Sequence, residues 1–197
     1  MDASKLQLKI FTSSSTGHLD AETFIPVFHE WIKNGVLPEL LVDVANYGHV
    51  PRGPGVVLIG HENDYGLDDS EGRQGLLFNR KRLAPAPELR LEDTFRRALH
   101  AAVLLEQEPT LAGKLKFGTL QLLLRINDRL AAPNTDATFA ALRPELESFC
   151  ARLFGAGQFT LARTGEPRQL FGVTITTSHA PALASLLERA GGAPKTA

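Results

Sequence analysis

The sequence predicts an α+β fold in which two successive β-α-β-β-α halves build mixed or antiparallel sheet packed on helices. Three observations carry this. Apolar residues recur with a period of two in some segments and near 3.6 in others, the signatures of half-buried strands and amphipathic helices. Strand-like runs come in pairs joined by connections rich in Pro and Gly. The order of elements then recurs, with "DAETF" at 20–24 answering "DATF" at 136–139. An internal duplication is one reading of that recurrence, and a chance likeness of two common α+β units is the other.

The first half, about 5–108, opens on a strand from Lys5 to Thr12. Leu6, Leu8 and Ile10 share one face and Lys5, Gln7 and Lys9 the other, the period of a half-buried strand. A helix over 24–34 follows, striped by Phe24, Val27, Phe28, Trp31 and Ile32, with Asp20 or Thr23 as its cap and Gly35 as its stop. Leu40 to Asn46 and Val56 to Gly60 read as a hairpin through "YGHVPRGPG". Symmetric pairing about Gly53 sets Ala45 near His61. Gly75 to Arg80 reads as a third strand, and a helix over 94–108 carries Phe95, Leu99, Ala102 and Val103 inward.

The second half, about 116–190, begins with Leu120, Leu122, Leu124 and Ile126 alternating as a strand. A helix over 136–154 turns Phe139, Leu142, Leu146, Phe149 and Leu153 inward. Phe159 to Arg163 and Leu170 to Thr177 form a second hairpin about "TGEPR", and Ser178 caps a last helix over 179–190. Residues 1–190 are expected to form a single compact domain, and "GGAPKTA" at 191–197 to be a disordered tail.

With 21 basic and 22 acidic residues among 197, the formal charge of −1 sets up no strong field toward nucleic acid or an anionic membrane. The short basic runs Arg80-Lys81-Arg82 and Arg96-Arg97 lack interleaved aromatics and read as solvated surface. A single cysteine excludes an internal disulfide framework and paired-thiol chemistry, and no apolar stretch is long enough to span a bilayer. Cytoplasmic location follows as the expectation. Cys150 lies in an apolar helical stripe and reads as an inert buried thiol.

Chemistry concentrates in residues 47–73. His61-Glu62-Asn63-Asp64-Tyr65 has tyrosine where a zinc-protease motif needs its second histidine. The acids that follow lack the alternate spacing of an EF-hand. A looser divalent site of Asp68, Asp69 and Glu71 stays open, because carboxylate oxygens suit hard cations; an exposed acidic turn is the plainer alternative. Tyr47, His49, Arg52, His61, Glu62, Tyr65 and Arg73 supply donors, acceptors and titratable imidazoles for a small ligand. Residues 61–73 are expected to be a mainly irregular, ligand-facing loop, its acids balanced by water, a cation or arginines such as Arg52 and Arg73, and its glycines 60, 66, 72 and 75 chosen for backbone freedom. Two functional classes result: a binder of a small molecule, a divalent cation or an anion, the last held by Arg52, Arg73 and backbone N–H groups, with no reaction or cofactor specified, or a protein-interaction or homo-oligomeric assembly module presenting a sheet edge.

Overall fold

The computed structural model describes residues 3–50, 53–82 and 84–194. Among these, eight strands form one sheet: β1 (Leu6–Thr12), β2 (Leu41–Asn46), β3 (Val56–Gly60), β4 (Asn63–Asp68), β5 (Gly75–Arg80), β6 (Phe117–Ile126), β7 (Phe159–Thr164) and β8 (Phe171–Thr177). Their spatial order is β2-β3-β4-β5-β1-β6-β8-β7, and every neighbouring pair is antiparallel, which settles the choice between mixed and antiparallel sheet. The helices are α1 (Phe24–Asn34), α2 (Arg90–Gln107), α3 (Asp136–Phe154) and α4 (Leu183–Arg189).

Local chemistry accounts for most helix ends. Gly35 adopts φ 60° and its N–H closes on the Ile32 carbonyl, a left-handed stop that a Cβ would disfavour. Asp20 accepts the Glu22 N–H at 3.0 Å and caps the 3-10 turn leading into α1, whereas the Thr23 side chain makes no cap bond. Helix α2 begins four residues before the expected start, because Pro87 opens a 3-10 turn and Glu92 and Asp93 suit the positive end of the helix. Helix α4 begins four residues late. Pro181 disfavours helical backbone at Ala180, so the extended Ala182 becomes the N-cap, and Ser178 instead donates to Gln158 Oε1 at 2.5 Å.

The segment expected to be irregular is largely regular, since Asn63–Asp68 is strand β4, paired on both sides by β3 and β5. Gly66 and Gly75 accordingly sit inside strands, and of the four glycines expected to need backbone freedom only Gly72 has positive φ. Gly75 is required for space: a Cβ there would lie 2.6 Å from the Ile10 carbonyl oxygen. Gly55, before β3, needs both freedoms, with φ +68° and a would-be Cβ only 2.0 Å from the Leu67 oxygen. The β2–β3 register also differs from symmetry about Gly53, because Ala45 pairs with Val57 and Leu41 with Gly60.

One contiguous buried apolar cluster joins the helices to alternate strand residues. It includes Leu6, Leu8 and Ile10 of β1, Leu76 and Phe78 of β5 and Leu122, Leu124 and Ile126 of β6, together with Phe24, Phe28, Trp31, Phe95 and Phe149 of the helices. Leu120 falls out of phase and is 53% exposed, because a register shift between Ile10 and Thr12 lets β6 slip against β1. The opposite sheet face carries the intervening residues, among them Gln7, Lys9, Val57, Ile59, Asp64, Leu77, Asn79 and Arg125. Strand β1, expected to be half-buried, is buried on this face too, with Lys9 0% exposed. No helix among the described residues is long and apolar enough to cross a membrane.

Candidate functional site

Strand pairing lays a polar row across the face opposite the helical cluster. Asp64 of β4 stands beside Asn79 of β5, Asn79 beside Gln7 of β1, and Gln7 beside Arg125 of β6. Lys81 reaches Asp64 at 2.6 Å and also donates to the Gly60 carbonyl at 2.6 Å. Asn79 Nδ2 donates to Asp64 Oδ2 at 3.4 Å, and Gln7 Nε2 donates to Asn79 Oδ1 at 3.1 Å. The chain of donors thus runs toward Asp64, leaving Gln7 Oε1 at its far end. That oxygen is buried and accepts no hydrogen bond among the described residues.

Gln7, Asp64, Asn79 and Lys81 line a cavity of about 390 Å³, with Val57, Ile59, Gly66 and Leu77 as its apolar part and Tyr47 and Pro54 from the β2–β3 connection. Lys81 and Asp64 cancel in charge, so the lining is electrically neutral while offering unlike polar atoms at one end. A site of this character favours a small molecule with an apolar body and a hydrogen-bond donor.

Further along the face, Lys9 anchors a second cluster. Its Nζ donates to Asp68 Oδ2 at 2.6 Å, the Ser70 carbonyl at 2.7 Å and Glu71 Oε2 at 3.1 Å. Burial lowers the Lys9 pKa from its ordinary value, with the Asp68 carboxylate opposing that shift. Arg125 holds the other oxygen of Glu71, and its own pKa is lowered by burial against the opposing pull of Asp68. Glu71 is the one described non-glycine residue with positive φ, at 62°, a left-handed backbone costing roughly 1–2 kcal/mol for a residue with a Cβ. Arg73 lies 4.0 Å from the centre of the Phe11 ring and donates to Gln121 Oε1.

These contacts redistribute the expected site residues. Asp68 and Glu71 share a lysine ammonium in place of a metal ion, while Asp69 turns toward His18, 3.7 Å away. Among the described residues no group of three or more His, Cys, Asp or Glu side chains is disposed to hold a metal. An arginine does balance one acid, since Arg125 holds Glu71, but lysines supply partners that were not expected: Lys9 of β1 for Asp68 and Glu71, and Lys81, just past β5, for Asp64. Tyr47 lines the cavity. His49 and His61 are exposed, Glu62 is half-buried with its carbonyl accepting the Lys81 N–H, and Arg52 lies outside the described residues.

Tyr65 belongs to the other face. Its ring packs edge-on against Phe78 with centroids 5.4 Å apart, and its hydroxyl donates to Glu39 Oε1 at 2.6 Å. Burial, reinforced by Glu39, pushes the Tyr65 pKa well above its ordinary value. Asn63 Nδ2 also donates to Glu39, and Arg97 approaches it at 3.5 Å. Arg97 and Arg96 bind Asp93 at 3.0 and 2.9 Å, and Arg80 closes on the same carboxylate. Burial works to raise the Asp93 pKa, but the three guanidinium groups outweigh it and hold the carboxyl below its ordinary value. The expectation that Arg80 and Arg97 are solvated is thus corrected: both are drawn inward by Asp93.

Arg80 carried a legible signal, since it continues the period-two phase of Leu76 and Phe78. Glu39, Asp93 and Arg125 carried none, because their partners are set by tertiary pairing. Cys150 is buried, and the apolar surroundings push its thiol up to about 12, which suits an inert side chain. Comparison of the chain with family models, with curated proteins and with solved structures finds no match.

Proposed function

We propose that this chain binds a small neutral molecule in the cavity between Tyr47 and the Gln7-Asn79-Asp64 row. The observation that carries this reading is that Gln7, which lines the cavity, has a buried Oε1 without a donor among the described residues, a state that costs about 1–3 kcal/mol. A ligand amide or hydroxyl would supply that donor, while its apolar part rests on Val57, Ile59 and Leu77. The test is a thermal-shift panel of neutral amides and polyols, because a ligand that binds only the folded state raises its melting temperature. A hit whose effect is lost in both Gln7→Leu and Tyr47→Ala supports the reading; a panel without hits, or hits indifferent to both changes, counts against it.

Self-association is the second reading, favoured by β2 at one end of the sheet, where Val42 is 56% exposed and neighbouring Leu40 68% exposed. A two-fold pairing of β2 strands would cover them. The duplicated order belongs here too, supported by β1 and β6 meeting at mid-sheet with the last strand of each half, β5 and β8, on their outer sides. A cytoplasmic setting accords with the single buried thiol.

A further inference from the structure

We propose that Arg125, Arg129 and Lys9 form a binding site for a small organic carboxylate, and that the Glu71 side chain is its built-in occupant. The site is separate from the cavity at Gln7 and does not depend on it. Glu71 bridges two cations, with Oε2 on Lys9 and Oε1 on Arg125, so its carboxylate occupies the place a free carboxylate would take. The backbone that delivers it is unfavourable for glutamate, because Glu71 sits at φ 62° and is followed by Gly72 at φ 66°. A structural clasp needs no such strain, whereas an occupant that must be released gains from it.

The surroundings favour exchange. A cavity of about 350 Å³ opens directly beside Glu71 and Arg125, and Arg129 lines it without an ion-pair partner among the described residues. Gly165 and Gly172 keep its wall free of side chains, and Gln169 and Thr164 add polar groups. A second cavity of about 540 Å³ lies on the other flank of the same turn, lined by Asp69 to Gly72, so the turn has open space on both sides. If Glu71 leaves, Lys9 keeps Asp68 and the Ser70 carbonyl, but Arg125 loses its carboxylate and faces the cavity with Arg129. Two guanidinium groups against an apolar floor of Leu123 and Leu170 match a carboxylate on a short carbon chain.

Titration calorimetry with succinate at constant ionic strength tests this in the wild type, in Glu71→Gly, which removes both the occupant and the strained side chain, and in Glu71→Gln, which keeps the side chain's shape. The expected result is binding at least about tenfold tighter in Glu71→Gly than in the wild type, lost again when Arg125→Gln is added. Succinate should also raise the melting temperature of Glu71→Gly more than that of the wild type. Equal affinity in the two proteins, no binding to either, or binding that survives Arg125→Gln would overturn the proposal. Inorganic phosphate binding where succinate does not would overturn the assignment to carboxylates. Should Glu71→Gly not fold, Glu71→Gln decides by the same criteria.

Discussion

Two ionic clusters occupy opposite faces of the same sheet, and they are built differently. Around Asp93, the charged groups stand on regular elements: Asp93, Arg96 and Arg97 on α2 and Arg80 on β5. Around Lys9, the acids come from the end of β4 and from a turn in which Glu71 is held in left-handed backbone between two cavities. The first cluster locks a helix to a strand. The second holds a turn across a sheet face that the helical cluster leaves free. Ion pairs can therefore serve fixed structure on one face and, in the proposal above, exchangeable occupancy on the other, and what distinguishes them is the backbone that delivers the carboxylate.

The largest difference between the faces should appear on removing one carboxylate from each. Asp93→Ala leaves three guanidinium groups without their shared counter-charge, and stability should fall by about 3–5 kcal/mol in denaturant titration. Glu71→Gly, by contrast, should change stability by no more than about 1 kcal/mol, because a partly exposed ion pair is worth little and the left-handed strain is relieved. Comparable losses for the two would erase the distinction. Between them in size, Gly55→Ala should cost more than about 1 kcal/mol, since it meets both the Leu67 carbonyl and an unfavourable φ.

The smallest effect concerns pH and bears on the α2 side alone. Burial lowers the His100 pKa from its ordinary value of 6.5, so the unfolded chain takes up that proton first. The stability contributed by neutral His100 is complete above pH 6.5 and declines as the pH falls toward the folded-state value. Asp93, whose pKa is also lowered, adds a loss of the same sign only below its ordinary 3.8. Denaturation midpoints measured from neutrality to about pH 5 should thus fall in the wild type and flatten in His100→Gln. A wild-type midpoint unchanged over that range contradicts the assignment.

The apolar framework was legible because alternate strand residues and one stripe of each helix enter the same apolar cluster. Leu6, Leu8 and Ile10 declare β1, and Phe24, Phe28 and Trp31 declare α1. Strand β4 was not recognised, although Asn63, Tyr65 and Leu67 alternate in phase. Its Asp, Asn and Gly content is that of a turn, and pairing with β3 and β5 overrides that propensity. The candidate site was the least legible part, since Lys9 lies 59 residues from Asp68 and no local pattern announces their contact. Alternation placed Lys9 on the correct face of β1; what it could not reveal is that the Glu71 turn covers that face.

The most direct test of ligand binding on this face is a titration of the ¹⁵N-labelled protein with a thermal-shift hit, followed by ¹⁵N–¹H correlation spectra. The proposal predicts saturable shifts at the amides of Gln7, Val57, Gly66, Leu77 and Asn79, independent of protein concentration. Shifts confined to Leu41–Asn46 that grow with protein concentration would contradict it and identify β2 as an assembly edge.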